Sequence, residues 1–596
     1  MRKLPIRIPS GQHASTGSLE RAASTPREWA HAPSVSNQSR AGYERPVRWE
    51  SLGINAEVPQ EHTPIEEIAA ADDIPEVQSE SEDDSPKGVH VLNTVQERAA
   101  NILAKMEVTH PAILRGTPAY KVLQCFGRAL RNDSMGRDLF CHSRQTCQIQ
   151  VFVSHNWHGS ALQKILLLLI VESGRPALVV GLLAATLAAI VQHLAGIATE
   201  PRTPGAALFS LISGLLASTV TFFLWRPRHL VFLDRICISQ TDRRLKGRGL
   251  LNMGAILRHS SSMLVCWDAT YMERLWCAFE LAAFLFSHGE EANLYIRPTH
   301  LGLSMIVLYL SLWGTMLGVD LFAPGANSWI WFLLVLCVLC IIGFYFVVDT
   351  FRSYLASVQN LQEKLSRFAF ADTKCHCCSV NHLRRDGTKM ICDREILQKC
   401  IRGWFGSIDN FDESVQSSVS AAFRKQLGRN TLPYLWMLGV GSPILWALLS
   451  IVVQELLIGD YTLFVRDTVY LLAYWLLALP LILAVTFKLV FCMRKRRGCA
   501  VDFFLNSFCV LVILVMFAAV DMSNVMIKNL LAASSLAEDV VEVLHELVWA
   551  VLLLLGVLCL WRHSIVEWLT VEAVRETPAT LPPVSAVGSG PGHVIF

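Results

Sequence analysis

Long apolar runs alternate with polar segments along most of this chain. Eight runs approach the ~20 residues that a helix needs to cross a bilayer. They are residues 176–197, 206–225, 301–322, 329–348, 432–457, 469–492, 503–520 and 547–561. They pair into four hairpins, and Pro443 and Pro480 are positioned to kink the fifth and sixth runs. The hairpin turns, 198–205, 323–328, 458–468 and 521–546, carry only Arg202, Arg466 and Lys528 as Lys or Arg. The opposite loops carry Arg226, Arg228, Arg494, Lys495, Arg496, Arg497 and Arg562. This asymmetry predicts both termini, and every large polar segment, on the cytoplasmic side of a lipid bilayer. Between the last two runs, residues 530–544 are expected to lie on the membrane as an amphipathic helix.

The polar segments follow a different period. Residues 148–154, 229–234, 262–267 and 292–296 are short, β-branched or apolar runs that read as buried strands. Helical patterns occupy 250–258 and 271–287 between them, and 91–106 and 119–131 before them. Strands alternating with helices imply a parallel sheet covered on both faces. The first hairpin is inserted in this unit, after its first helix and before its second strand. Two antiparallel spans return the chain to the side it left, so the sheet can still close.

Composition sharpens this picture. The 596 residues are 52% hydrophobic and only 17% charged, against roughly 25% charged in an ordinary soluble domain. That excludes a wholly soluble enzyme and a mostly disordered chain. A formal net charge of +2 supplies no field for nucleic acid. The 17 cysteines are scattered, many inside apolar runs, unlike a secreted disulfide scaffold. Residues 1–88, rich in Ser, Pro and acid, are expected to be a disordered tail open to regulatory phosphorylation. The remaining organisation reads as a helical lead-in (89–147), an α/β domain (148–298) with the hairpin inserted at 176–225, and a hairpin (299–349). A Cys-rich helical unit (350–430), further spans (431–562) and a cytoplasmic tail with a disordered end (563–596) follow.

Three motifs in the α/β domain carry a family likeness. Tyr271-Met-Glu-Arg-Leu-Trp-Cys-Ala-Phe-Glu-Leu281 resembles the Trp-Cys-x-x-Glu-Leu helix of Toll/interleukin-1 receptor (TIR) domains. Phe232-Leu-Asp-Arg-Ile-Cys-Ile-Ser-Gln-Thr-Asp242 is similar to the Ile-Asp-x-x-Cys-Ile-x-Gln-x-Asp signature of heterokaryon-incompatibility (HET) domains, a TIR-related group. Phe152-Val-Ser-His-Asn-Trp157 resembles the first strand of both. The arrangement is also similar to multi-pass TIR-like proteins of protists. The resemblance implies a cytoplasmic TIR-like fold, association into homo-oligomers, and, in many family members, cleavage of the nicotinamide–ribose bond of NAD. The family's catalytic acid then matches Glu280. Ser154, Trp157 and Asp234 end strands, where open α/β sheets bind ligands, and with Trp276 they form the candidate NAD cleft. The other reading of Glu280 is structural, an ion pair with Arg274 or Arg235 or a plainly solvated carboxylate. The Arg-Asp-Pro-Gly-type loop of the family is missing. A basic loop, 241–248, stands in its place and suits phosphates, anionic headgroups or plain solvation.

The Cys-rich unit opens with a helical stretch, 354–370. Cys375, Cys378, His382 and Cys392 can supply a Cys3His zinc site, with Cys377 or His376 as substitutes. A reduced cysteine-rich turn and palmitoylated juxtamembrane thiols are the other readings. Ser407 and Asp412 are expected to cap the helix over 413–427. The functional expectation is a membrane-anchored TIR-like signalling or scaffolding protein. The alternatives are a membrane-bound NAD hydrolase acting through Glu280, and a transporter or channel with a cytoplasmic regulatory domain.

Overall fold

A computed structural model describes residues 86–131, 138–197, 203–289, 292–322, 329–383, 391–427, 432–534 and 536–576. The expected N-terminal tail before 86, the turn at 323–328 and the expected C-terminal end from 577 lie outside the described residues. Helix α1 (Pro86–Lys105) and strand β1 (Arg115–Pro118) lead to α2 (Ala119–Gly127). Then come β2 (Arg144–Gln145), β3 (Val151–His155), α3 (Ala161–Leu194), α4 (Leu208–Leu224) and β4 (Leu230–Phe232). The sheet unit is completed by α5 (Arg243–Leu251), α6 (Met253–Arg258), β5 (Met263–Trp267), α7 (Leu275–His288) and β6 (Leu294–Pro298).

The strands form one six-stranded sheet in the order β2-β1-β4-β3-β5-β6. All four expected strands are present, and β4, β3, β5 and β6 run parallel. Every residue of β5 is buried, as a central strand covered on both faces requires. Phe152 and Phe232 stack across β3 and β4 at 4.9 Å. The sheet is nevertheless mixed. β1 pairs antiparallel with both β4 and β2. Arg115-Gly-Thr-Pro118 has no apolar alternation, so its pairing is a tertiary effect that local pattern does not announce. The opposite edge is blunted: the Gln426 side chain bonds the Ile296 N–H and the Leu294 carbonyl of β6, occupying groups that would otherwise template another strand.

The basic segment after β4 is a helix rather than a loop. Asp242 accepts from the Arg244 and Leu245 N–H groups and caps α5. The expected helix at 119–131 is also interrupted: Gln124, Cys125 and Phe126 leave helical backbone, and Gly127 takes φ +65°.

Helices make up the rest. They are α8 (His300–Phe322), α9 (Trp329–Ser366), α10 (Asp393–Phe405), α11 (Ile408–Leu427), α12 (Tyr434–Val440) and α13 (Ser442–Ile458). The last four are α14 (Tyr461–Ala473), α15 (Leu479–Cys492), α16 (Cys499–Ala532) and α17 (Glu538–Glu576). Among the described residues, six helices are long and apolar enough to cross a membrane, α14 and α15 counting as one through the π-helical turn between them, or seven if the α12–α13 pair, bent by 62°, is one span. The expected eight apolar runs are all helical, but α4 is too short to join the six. Among the described residues of 530–544 there is no separate interfacial helix. α16 continues to Ala532 and α17 starts at Glu538.

The two prolines act differently. Pro443 sits in the first turn of α13, where its missing N–H costs nothing, and the chain bends just before it. Pro480 follows a π-helical turn, Tyr474–Ala478, that joins α14 to α15. Its missing N–H frees the carbonyl four residues earlier, and the Tyr434 hydroxyl donates to that Leu476 oxygen.

The junction between sheet and apolar helices differs from expectation. No short helix precedes the inserted hairpin. α3 is one 34-residue helix, capped by Ser160 and about 50 Å long at 1.5 Å per residue. Its first half buries Lys164, Ile165, Leu167 and Leu168 against the sheet unit, whereas Leu183, Leu187, Val191 and Leu194 further along are exposed. The stretch at 354–370 is likewise the continuation of α9, which ends at Ser366. α8 starts two residues after β6 and crosses α3 at Gly302, where a β-carbon would lie 2.5 Å from the Leu167 nitrogen. Backbones this close tolerate only glycine. Gly302→Ala is expected to cost about 1–3 kcal/mol, more than the ~1 kcal/mol gained in helix propensity. A lowered unfolding temperature in detergent would show it.

Candidate functional site at the carboxyl edge of the sheet

The parallel strands lie in the spatial order second, first, third, fourth (β4, β3, β5, β6), as in flavodoxin-like sheets. The order reverses between β3 and β5, and their carboxyl ends mark the position where doubly wound sheets bind ligands. The residues that follow those two strands meet there. Asn156 Nδ2 donates to Thr270 Oγ1 at 2.6 Å and lies 3.4 Å from Asp268 Oδ1. Asp268 Oδ1 also accepts from the Thr270 N–H and hydroxyl at 2.8 and 2.7 Å. Asp268 Oδ2 is buried and accepts no hydrogen bond. The loop closes over it at Gly159, whose β-carbon position falls 2.3 Å from that oxygen. Arg274 reaches in from the start of α7, to Asn156 Oδ1 at 3.4 Å and to His158.

Successive strand residues point to opposite faces, so Ser154 and His155 serve different surroundings. His155 is buried, its Nε2 makes no hydrogen bond, and its ring meets Trp157 edge-on at 4.5 Å. Burial pushes its pKa down to about 4, against the opposing pull of Asp234. The imidazole is therefore neutral at physiological pH. Lys164, fully buried on α3, donates to the Asn156 carbonyl at 2.8 Å. Trp157 Nε1 donates to Asp234 Oδ2 at 2.9 Å, and Arg235 sits 5.7 Å over the Trp157 ring.

On the other face, Ser154 Oγ lies between two partners, Glu280 Oε2 at 2.5 Å and the Tyr271 hydroxyl at 2.6 Å. Desolvation pushes the Glu280 carboxyl up to about 8, with the Ser154 bond pulling the other way. The Tyr271 phenol is raised too, chiefly by burial. Tyrosine, serine and a carboxyl raised by burial thus form a short hydrogen-bonded chain. Its Glu280 end is held by Ser154, not by the Arg274 or Arg235 ion pair that the sequence suggested.

No family model, curated protein or solved structure matches this chain. The site therefore stands on its own geometry. The structure brings Ser154 to Glu280 and Trp157 to Asp234, but it turns Trp276 away from both. Trp276 Nε1 donates to Asp393 Oδ2 on α10 at 3.2 Å, so this ring bridges to the Cys-rich unit. His155, Asn156, Lys164, Asp268, Thr270, Tyr271 and Arg274 were not legible as site residues. The signal for most of them was proximity to a strand end, which marks a ligand position only once the strand order is known.

In the Cys-rich unit, Cys377, Cys378, His382 and Cys392 place one ligand atom each within 4.8 Å of the others. Cys375 is not in that set. It lies 3.0 Å from Cys377, in a second group with Asp393. Ser407 caps the following helix, accepting from the Asn410 N–H at 3.0 Å. Asp412 does not cap it. Its carboxylate accepts the Phe370 N–H at 3.0 Å across the unit, and burial raises its pKa to about 6.

A polar constellation also joins α14, α16 and α17. Arg466 bonds Asp467 and Glu542 at 3.0 Å each, and Lys528 shares Glu542 at 2.5 Å. Asn524 donates to Glu546 at 2.8 Å. Two of the three basic residues expected in the hairpin turns are thus neutralised by acids on neighbouring helices.

Proposed function

We propose that this chain is a membrane-anchored signalling or scaffolding protein that acts through its sheet domain. The observation that carries the reading is the continuity of α3. One uninterrupted helix has its first turns against the β3–β5 strand ends, with Lys164 bonded to the Asn156 carbonyl, and its last turns among exposed apolar side chains. A rotation or tilt of its apolar half, which begins near the internal Pro176, is positioned to act on the β3–β5 strand ends. α8 and α9 extend from the same unit into apolar stretches. The distribution of basic residues supports a cytoplasmic sheet domain with both termini on the same side. The Trp276-Cys277-x-x-Glu280-Leu281 helix and the parallel core of the sheet support TIR-like character, with self-association as the mode of action.

A second reading, NAD hydrolysis through Glu280, is favoured by one observation: a carboxyl kept protonated to about 8 beside two hydroxyls. A protonated acid can serve a leaving group, but Ser154 engages one of its oxygens and Trp276 lies elsewhere. The test is nicotinamide release from NAD by the full-length protein in detergent and in nanodiscs, at high concentration with a crowding agent. Under the signalling reading, neither wild type nor Glu280→Gln releases nicotinamide, and crosslinking detects oligomers. Release by wild type that falls about a hundredfold or more in a folded Glu280→Gln variant establishes the enzyme instead.

A further inference from the structure

We propose that Cys377, Cys378, His382 and Cys392 form a structural zinc site that clasps the cysteine-rich turn onto the segment leading into the Glu280 helix. The backbone builds the site from two pieces. A one-turn helix, His376–Ser379, presents Cys377 and Cys378. The chain then folds back, with the Asn381 N–H on the Cys378 carbonyl at 3.3 Å and the His382 N–H on the Cys377 carbonyl at 2.8 Å. Asn381 and His382 both adopt left-handed backbone, φ +54° and +57°. Two successive non-glycine residues there are unfavourable, and the result is to carry the His382 ring back over the two sulfurs. Cys392 arrives from the far side, immediately before α10.

The spacing of the donors fits zinc. A tetrahedral ion with Zn–S bonds of about 2.3 Å has sulfur–sulfur edges of roughly 3.8 Å. Cys378 and Cys392 lie 3.8 Å apart, and Cys377 and Cys378 4.0 Å apart. The Cys375–Cys377 separation of 3.0 Å is short of that edge. His382 Nε2 is buried and makes no hydrogen bond, an arrangement that leaves a polar atom unsatisfied and that ligation would complete. Three thiolates and an imidazole in a tetrahedron select zinc over harder or square-planar ions.

The site's neighbours give it a role. The Lys374 carbonyl accepts the Leu275 N–H at 3.2 Å, and the Lys374 N–H donates to the Glu273 carbonyl at 2.5 Å. On the other flank, Asp393 accepts from Trp276. Segments on both sides of the ligands are therefore bonded to residues 273–276, the approach to Glu280. The inference is independent of whether the sheet domain signals or hydrolyses NAD.

The test uses the full-length protein purified in detergent without chelators. Elemental mass spectrometry is expected to find about one zinc per chain. Cys392→Ser and His382→Ala are expected to lower zinc content about tenfold or more. His382→Cys, which keeps four soft ligands, retains it and controls for folding. Cys375→Ser also retains zinc. After exchange to cobalt, the wild type shows the visible absorption of tetrahedral thiolate coordination, and Cys377→Ser loses intensity. The proposal is overturned by a protein that neither carries nor takes up zinc, by a disulfide among these cysteines, or by full zinc content in Cys392→Ser and His382→Ala. Loss of zinc in Cys375→Ser but not in Cys377→Ser overturns the ligand assignment.

Discussion

Arg352→Ala is expected to destabilise the protein by about 3–5 kcal/mol, the cost of breaking a buried ion pair from one side. The Arg352 side chain is wholly inaccessible to solvent, and its guanidinium makes four hydrogen bonds. It donates to Asp502 Oδ1 and Asn506 Oδ1 at 2.7 Å each, and to the Met493 and Lys495 carbonyls at 2.8 and 2.9 Å. One side chain thus holds α9, the basic turn 493–498 and the start of α16 together. Alanine would leave a poorly hydrated Asp502 without its cation and two carbonyls without donors. Arg352→Lys retains the charge but loses the planar fork, so an intermediate loss is expected. Thermal unfolding in detergent reads all three proteins. A melting temperature for Arg352→Ala equal to wild type would refute this account of the junction.

The second large effect is a pH dependence centred on Glu280. Its carboxyl titrates near 4.5 when unfolded and near 8 in the native state. Below about 4.5 both states hold the proton, and the group imposes no penalty. Between these values the unfolded state has lost the proton that the native state keeps, so stability falls as pH rises. The steepest slope is about 1.4 kcal/mol per pH unit. Above about 8 the penalty is complete. Glutamine mimics the protonated acid and cannot ionise. Glu280→Gln should therefore match wild type near pH 4.5 and exceed it at pH 8–9. Melting curves across that range decide the matter, and parallel profiles for the two proteins would show that Glu280 is ionised in the folded state.

Several parts of this architecture were legible because they depend on local pattern. The four parallel strands are β-branched or apolar runs bounded by polar turns, and the apolar runs fall on helices wherever the structure describes them. Pro443 and Pro480 mark irregularities because proline removes a donor wherever it stands. Other features depend on a partner distant in sequence. Trp276 looked like a cleft residue from its place one turn before Glu280, yet Asp393, more than a hundred positions on, draws its indole away. Asp412 had the spacing of a cap, but the helix starts at Ile408, so its carboxylate lies inside the helix and accepts the Phe370 N–H instead. β1 has no strand pattern because its pairing with β4 supplies the reason for its conformation.

Hydrophobic period and composition by themselves determined that this chain combines a small α/β sheet unit with helices of membrane-crossing length. Burial of apolar surface acts on every residue according to type, whatever its neighbours. Only the tertiary structure decided that α3 serves both parts as one helix, that Ser154 joins Glu280 to Tyr271, and that Cys377 rather than Cys375 groups with Cys378, His382 and Cys392 within 4.8 Å. The Ser154 contacts rest on hydrogen bonds between residues more than a hundred positions apart, and the cysteine grouping on distances set by how the chain folds back at Asn381 and His382. Directional interactions of that kind are set by packing, and the order of residues along the chain does not contain them in readable form.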